Sequence, residues 1–162
     1  PIFTCFRTMD ELKSEVRNAA ERVYRDYVAE GLNARIPFFC FGMQYIRFAR
    51  EERELYRLLF LNQGGGAIEA MESSKPIILE SLMRIYNMNE REAERLYRDM
   101  WLVVNSFGAL IVTDSCPYDD EEIGKILTGF SLGLCKGIKE IPGFVENRVD
   151  RDREFRALLE GK

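Results

Sequence analysis

Carboxylates are the side chains in this sequence whose types and spacing come nearest to catalytic chemistry. Two runs, Glu51-Glu52 and Asp119 to Glu122, offer the oxygen atoms that an acid–base pair or a metal site requires. Both runs lie at expected helix starts or chain corners, where negative charge stabilises the exposed N–H groups of a helix. We interpret them as caps and solvated charge, which surface charge clusters usually are.

The absence of histidine restricts the chemistry further. The sequence contains none, which removes Ser-His-Asp and Cys-His catalysis, the common zinc sites and the Glu-x-x-His pattern of di-iron bundles. No recognisable pair of nucleophile and base remains. The sequence therefore predicts that the chain is not an enzyme and holds no cofactor or metal.

The four cysteines are Cys5, Cys40, Cys116 and Cys135, and none of them form a Cys-x-x-Cys pair. They lie among apolar neighbours, as reduced cysteines of cytosolic cores usually do, so we expect no disulfide framework. A thiol-based redox sensor stays open as a third class of function. It would use Cys40, Cys116 or Cys135 and would need an exposed thiol with a lowered pKa.

The charge balance argues against a nucleic-acid-binding surface on this chain. Among 162 residues, 23 are basic and 27 acidic, which gives a net charge of −4. No stretch of apolar residues is long enough to span a membrane, and the N-terminus lacks a signal-peptide pattern. We expect a cytoplasmic protein, and the absence of an initiator Met predicts further sequence upstream.

Helical periodicity runs through every long segment and predicts an all-α bundle. Thr8 and Glu11 have capping-box spacing, which predicts a helix start there and a C-cap at Gly31. The segment 38–48 is apolar on nearly every side, which is typical of a helix buried in the middle of a domain or lining a cavity.

The second half of the chain is expected to contain most of the bundle. Gly64-Gly65-Gly66 breaks the helical pattern and is interpreted as a flexible link, and Pro76 is expected near the start of the next helix. Further helices are expected over 55–60, 75–86, 90–113, 119–140 and 148–159.

Three blocks of sequence resemble segments of one family. They are Ile2-Phe3-Thr4-Cys5-Phe6-Arg7-Thr8-Met9-Asp10-Glu11-Leu12, then Phe48-Ala49-Arg50-Glu51 followed by Leu55-Tyr56-Arg57-Leu58-Leu59-Phe60, and last Trp101-Leu102-Val103-Val104-Asn105-Ser106-Phe107-Gly108-Ala109-Leu110. In order and at about the right spacing, they are similar to the end of the recognition helix and two sensor-domain segments of TetR-type (tetracycline-repressor-like) transcriptional regulators. The chain departs from the family pattern at Met9 for lysine, Arg53 for proline and Asn105-Ser106 for His-Gly.

The resemblance implies a TetR-like C-terminal helical bundle whose DNA-binding head is mostly absent. Residues 1–8 would be the remnant of the helix-turn-helix, with Phe3, Cys5 and Thr8 at positions near the DNA backbone. Residues 9–162 would be the ligand-binding and dimerisation domain. Operator DNA would be contacted only through the missing N-terminal head, since such heads place their second helix in the major groove.

The resemblance also implies a pocket for a small, mostly apolar effector between the central helices. Such sites are largely apolar with a few polar groups, which Gln44 and Asn105 would supply. The candidate ligand-binding residues are Phe41, Gln44, Tyr45, Phe48, Phe60, Met83, Tyr86, Tyr97, Met100, Trp101 and Asn105. For any one of these residues, ordinary core packing is the alternative.

The helices at about 90–114 and 119–140 match the dimerisation pair of the family. Gly124, Gly129, Gly133 and Gly137 support this independently, because glycine destabilises a helix interior and close helix approach would explain its repeated use. Packing within one chain is the alternative. The candidate homodimer interface comprises Val104, Gly108, Ile111, Ile123, Ile126, Leu127, Phe130 and Leu134.

The function implied is that of a ligand-sensing domain of a transcriptional repressor. The effector would shift the helix that begins near Thr8 and lower operator affinity by changing the spacing of two DNA-reading heads. The alternative is a stand-alone helical protein-interaction domain without a small ligand. A solid core without a cavity would favour that alternative.

Overall fold

The computed structural model describes residues 7–32, 37–61 and 66–161, and the chain forms helices and connecting turns over these ranges. The predicted all-α class is confirmed. The helices are α1 (Met9–Leu32), α2 (Pro37–Glu51), α3 (Arg53–Phe60), α4 (Gly66–Tyr86), α5 (Glu90–Val112), α6 (Asp120–Glu140) and α7 (Arg151–Glu160). No helix within the described ranges is long and apolar enough to cross a membrane.

Helix α2 occupies the centre of the bundle, as its apolar sequence predicts. It packs against α1, α3, α4, α5 and α6. Phe38, Phe41, Tyr45 and Phe48 are all buried, and the last three contact Tyr97 of α5, Tyr56 of α3 and Tyr24 of α1, respectively. A helix that is apolar on most sides gains the most from this position, because each face can be removed from water by a different partner.

Helix α1 begins as predicted and ends differently. The backbone N–H of Glu11 donates to Thr8 Oγ1 at 3.1 Å, which caps the helix start. Gly31 was expected to end the helix as a C-cap, but α1 continues to Leu32 and Gly31 lies inside its last turn. A Cβ at Gly31 would lie 2.8 Å from the backbone N and Cα of Phe41. Glycine is therefore required there by close approach of α1 to α2.

Helix α4 is longer than the sequence predicted, and Pro76 lies in its interior, well after its start. The turns before Pro76 are held by tertiary packing, because Ala67, Ala70 and Met71 face the core at helical spacing. Ser74 is buried and its hydroxyl lies 2.8 Å from the carbonyl oxygen of Ala70. The helical spacing of the apolar residues Ala67, Ala70 and Met71 was the sequence signal for these turns, and the expected helix start at Pro76 obscured it.

Helices α5 and α6 begin at full capping boxes. Asn89 Oδ1 accepts from the N–H of Glu92 at 3.1 Å, and the Glu92 carboxylate accepts from the N–H of Asn89. Asp119 and Glu122 repeat the arrangement at the start of α6. The acidic run at 119–122 thus caps a helix, as interpreted from the sequence.

Arginines of α3 bind the far end of α5. Arg53 Nη2 donates to the carbonyl oxygen of Ile111 at 2.7 Å, and Arg57 Nη2 donates to that of Val112. The last turn of α5 contains no basic residue of its own, so these guanidinium groups supply the positive charge that a helix C-terminus favours. Arg53 stands where the resembling family has proline, and here it holds α3 against α5.

Helix α7 has no buried residue. It carries an apolar stripe of Phe155, Leu158 and Leu159, and Leu158 is 76% exposed. The helix is defined by its own signals, with Asp150 as N-cap and Gly161 in a left-handed C-cap.

The contact between Gly31 and Phe41 predicts the effect of adding a single methyl group. Alanine normally favours a helix interior over glycine by about 1 kcal/mol. At Gly31 the methyl would meet backbone atoms that cannot rotate away, so Gly31→Ala is expected to lower the free energy of unfolding by roughly 1–3 kcal/mol. Urea unfolding measures this. Ser14→Ala, at an exposed position of the same helix, is the control and should leave stability unchanged or slightly higher.

Candidate ligand cavity

A cavity of about 420 Å³ lies between α2, α5 and α6, beside the end of α4. Its size is within the range of pockets that enclose small organic ligands. Apolar and aromatic side chains provide most of the wall. The lining residues are Phe38, Phe39, Phe41, Gly42, Tyr86, Met100, Trp101, Val104, Leu127, Thr128, Ser131, Leu132 and Cys135.

The cavity wall contains no Asp, Glu, Lys or Arg among the described residues. Its polar groups are two hydroxyls and a thiol on α6, the phenol of Tyr86 and the indole of Trp101. The Thr128 hydroxyl already donates to the carbonyl oxygen of Gly124 at 2.8 Å. Burial raises the pKa of the Cys135 thiol, so this group is neutral at ordinary pH.

The structure brings four of the eleven predicted ligand-binding residues to this cavity: Phe41, Tyr86, Met100 and Trp101. The wall contributed by α6 was not predicted as part of a pocket. Its spacing, with Leu127, Ser131 and Cys135 at four-residue intervals, marks one helix face that could have indicated it. Val104 and Leu127, predicted for the dimer interface, also line the cavity.

The other predicted ligand-binding residues lie elsewhere. Tyr45, Phe48, Phe60, Tyr97 and Asn105 belong to the packed interior or to its polar contacts. Two more lie outside that group. Met83 packs against the core, and Gln44 accepts from Arg47 near the α1–α2 surface.

Two tyrosines and one asparagine connect α2, α3 and α5 through hydrogen bonds. The Tyr45 hydroxyl of α2 donates to Asn105 Oδ1 of α5 at 2.7 Å. The Tyr56 hydroxyl of α3 donates to the same oxygen at 3.0 Å. A Cβ on Gly108 would overlap the Tyr56 hydroxyl oxygen, so that glycine makes room for the network. Buried polar groups are costly unless paired, and here each hydroxyl has an acceptor.

A second pair of buried hydroxyls lies between α4 and α5. Tyr97 donates to the carbonyl oxygen of Met71 at 2.8 Å, and the Ser74 hydroxyl lies 3.1 Å from the Tyr97 oxygen. Tyr24 of α1 is buried nearby, with no hydrogen-bond partner for its hydroxyl within the described ranges. Burial raises the pKa of Tyr56 and of Tyr97 to about 12 and raises that of Tyr24 further.

Phe41 joins the cavity to α1. Its ring lines the cavity, while its backbone N and Cα would lie 2.8 Å from a Cβ on Gly31. A ligand that displaces this ring therefore acts on a segment with no space left between it and α1. Close-packed contacts transmit such shifts because they leave little free volume to absorb them.

The predicted dimer-interface residues divide between the inside and the outside of this chain. Gly108, Ile111 and Ile123 are buried, as are Val104 and Leu127 at the cavity. The remaining three lie on the outer side of α6 and border a shallow groove. The groove is lined by Ile126, Gly129, Phe130, Gly133, Leu134 and Phe144.

The glycines of α6 have different surroundings. A Cβ on Gly137 would lie 2.8 Å from the Phe144 ring. Packing within the chain therefore explains the use of glycine at this position. A Cβ on Gly129 or Gly133 would meet no described atom within 4 Å. Nothing described within the chain requires glycine at these two positions, although each weakens the helix.

The two carboxylates at the α2–α3 corner differ: Glu52 is the N-cap residue of α3, but its side chain makes no capping hydrogen bond. Glu51 accepts from the Tyr27 hydroxyl at 2.7 Å and from Arg47 Nε at 3.0 Å, and these contacts lower its pKa. Within residues 7–32, 37–61 and 66–161, no group of three or more His, Cys, Asp or Glu could hold a metal ion.

Of the DNA-proximal candidates, Thr8 caps α1, while Phe3 and Cys5 lie outside the described residues.

Comparison with models of protein families, with curated proteins and with solved structures finds no match for this chain. The features that bear on function are therefore the cavity, its contact with α1 and the open outer face of α6.

The buried tyrosines predict a loss of stability at alkaline pH. An unfolded tyrosine ionises near pH 10, whereas Tyr56 and Tyr97 keep their protons to about pH 12 in the folded chain. Their contribution is complete below pH ~10 and is lost as pH rises through about 12, by up to ~1.4 kcal/mol per pH unit for each tyrosine. Urea unfolding at increasing pH measures the slope.

Tyr56→Phe is the matched comparison, because it removes one titrating group and keeps the ring. It should cost about 1 kcal/mol at neutral pH through the lost hydrogen bond and should make the alkaline slope shallower. A free energy of unfolding that stays constant from about pH 10 to 12 would contradict the burial of these hydroxyls.

Proposed function

We propose that this chain is the ligand-sensing, dimerising domain of a TetR-type transcriptional regulator. It would control operator DNA binding in response to a small, mostly apolar molecule. The three resembling sequence blocks support this proposal, and the cavity between α2, α5 and α6 is the observation that carries it. A solid core would have favoured a protein-interaction domain.

The uncharged lining of the cavity supports an apolar effector. Aromatic rings from α2, α4 and α5 surround it, and the polar atoms of its wall are few. Apolar walls with a few polar groups are typical of small-molecule sites.

The contact between Phe41 and Gly31 supplies a route from effector to DNA. An effector in the cavity would favour one arrangement of the Phe41 ring and of the α2 turn that bears it. Helix α1 would move with that turn, because its backbone is already in contact with α2. The coupling is limited to the difference in effector affinity between the two arrangements.

The α2–α3 corner provides a connection to the proposed dimerisation pair. Arg50 of α2 donates to Asp120 at 2.6 Å and to the carbonyl oxygen of Tyr118, just before α6. Arg53 and Arg57 of α3 bind the end of α5. A shift of α2 would therefore reach the segment between α5 and α6.

A homodimer would be formed by the outer faces of α5 and α6. Phe130 is 51% exposed, and Gly129 and Gly133 beside it are free of described side-chain neighbours. Exposed leucines of α5, Leu102 and Leu110, add apolar surface. Small residues beside large apolar ones permit close helix approach, and an isologous two-fold contact is the commonest form of homodimer.

Operator DNA would be bound by a helix-turn-helix head preceding α1. The resemblance of residues 2–12 to the junction between such a head and the sensor domain supports this part of the proposal. The net charge of −4 leaves phosphate binding to that head. The function of this chain would be to set the spacing of two heads within the dimer.

The protein-interaction alternative is favoured by one observation, the exposed apolar stripe of α7. Phe155, Leu158 and Leu159 are covered by no described part of the chain. A redox-sensor function is disfavoured at Cys135, because burial raises the pKa of its thiol, whereas a reactive thiol needs a lowered one.

Matched charge substitutions on two exposed apolar surfaces test the proposed dimer. Phe130→Asp buries a carboxylate in the α6 interface and is expected to weaken dimerisation at least tenfold, since an unpaired buried charge is strongly unfavourable. Sedimentation velocity measures the dissociation constant. Leu158→Asp on α7, where the native side chain is also exposed, is the control and should leave the dimer intact.

The opposite pattern would count against the proposal. A wild-type chain that is monomeric at every concentration would contradict the proposed homodimer. A dimer that resists Phe130→Asp and dissociates with Leu158→Asp would assign the interface to α7, which is the surface that favours the protein-interaction alternative.

A further inference from the structure

The wall of the cavity between α2, α5 and α6 differs in polarity between its outer and its buried part. The outer part, which we call the rim, consists of lining residues that are exposed or half-buried: Phe39, Tyr86, Thr128, Ser131, Leu132 and Cys135. Four of these six carry a hydroxyl or a thiol group. Leu132 is 67% exposed, so the cavity is open to solvent at the rim.

The rest of the described wall, which we call the inner wall, is apolar. It is formed by lining residues of α2 and α5 together with Leu127 of α6, and all of them are buried. None of these side chains carries a hydroxyl, a thiol, an amide or a charge. The indole nitrogen of Trp101 is itself buried, so this ring meets the cavity with carbon atoms. A polar group of a ligand can therefore stay hydrated at the rim, whereas the inner wall has no side-chain partner for it.

Gly42 leaves unfilled space in the inner wall. The residue is buried in α2. Apart from its own helical backbone and adjacent residues, a Cβ on Gly42 would have only two described atoms within 4 Å, Leu127 Cδ1 and Val104 Cγ2, each at 3.6 Å. These are ordinary contact distances, so packing against α5 and α6 does not require glycine, and alanine would favour the helix. The space that glycine leaves in the cavity is therefore the reason for its use here.

We propose that the cavity binds an amphiphilic molecule whose apolar end lies against the inner wall at Gly42 and whose polar end lies at the rim. This inference rests on the proposed sensor function and names its class of effector. A hydroxyl or an ionised group can form the polar end, because the rim is open to solvent. A second polar group at the opposite end is excluded, since it would lose its hydration against the inner wall.

Two isomeric diols test the orientation by isothermal titration calorimetry. 1,2-Decanediol carries both hydroxyls at one end of its chain, and 1,10-decanediol carries one at each end, so the two probes have the same composition and the same carbon chain. The 1,2-isomer is expected to bind about 5- to 100-fold more tightly, as the burial of one unpaired hydroxyl implies. Equal affinity of the two isomers, or tighter binding of 1,10-decanediol, would overturn the proposal.

The length of the apolar end tests the role of Gly42. In a series of 1,2-alkanediols from hexane to dodecane, each added CH₂ should raise the affinity about fourfold until the chain reaches the inner wall, where the affinity levels off. Gly42→Ala occupies space at that wall. It should bring the plateau about one carbon earlier and leave the affinity of the shorter diols unchanged. A plateau at the same chain length in both proteins would overturn the role of Gly42.

Thermal unfolding separates this role from a merely structural one. Gly42→Ala should raise the Tm, because the added methyl meets no described atom closer than 3.6 Å and alanine stabilises a helix interior. A structural role for Gly42 would instead lower the Tm and weaken the binding of every diol alike. Gly137→Ala is the contrasting variant, since its Cβ would lie 2.8 Å from the Phe144 ring, outside the cavity. It should lower the Tm and leave the chain-length profile unchanged.

The single tryptophan of the chain gives a direct readout of orientation. Trp101 belongs to the inner wall, and a bromine atom quenches indole fluorescence at short range. At saturation, 11-bromoundecanoate, which carries bromine at the apolar end, should quench more strongly than 2-bromoundecanoate, which carries it beside the carboxylate. Equal quenching by the two probes, or the reverse order, would place the polar end at the inner wall and overturn the proposal.

Failure of this inference is distinguishable from failure of the sensor function. Tighter binding of 1,10-decanediol would overturn the amphiphilic class of effector and leave a functioning ligand cavity. Absence of binding by every diol would overturn the inference, while the dimer measurements with Phe130→Asp judge the sensor domain independently.

Discussion

The close approach of α1 and α2 at Gly31 and Phe41 is the constraint on which the rest of the structure depends. The missing Cβ of Gly31 allows the two backbones to meet, and α2 can then lie in the middle of the bundle. Tyr24 of α1 consequently reaches the rings of Tyr45 and Phe48 in edge-to-face contacts. No free space remains at this point between α2, which lines the cavity, and α1.

Helix α2 is held differently at two successive turns. Tyr45 is fixed to α5 by its hydrogen bond with Asn105, which also accepts from Tyr56 of α3. One turn earlier, the Phe41 ring faces a cavity with no such bond. Helix α2 is therefore fixed to α5 at one turn and borders a cavity at the turn before it. This arrangement allows small, reversible displacements of the helix, which the proposed sensor function requires.

The fold was predictable from the sequence because its signals are local. The capping boxes at Asn89 and Asp119 marked two helix starts, and the apolar pattern of 38–48 marked the central helix. The helix start expected at Pro76 and the C-cap expected at Gly31 were wrong, because tertiary contacts override the usual roles of these residues.

The candidate site was less predictable, since aromatic composition does not distinguish a cavity wall from a filled core. Tyr45 and Trp101 look alike in sequence, yet one is hydrogen-bonded within the core and the other borders the cavity.

Native mass spectrometry of the chain as purified tests the central claim most directly, because it reports oligomeric state and retained small molecules together. We predict a dimer that carries a small, mostly apolar organic molecule. A monomer with nothing bound would contradict it.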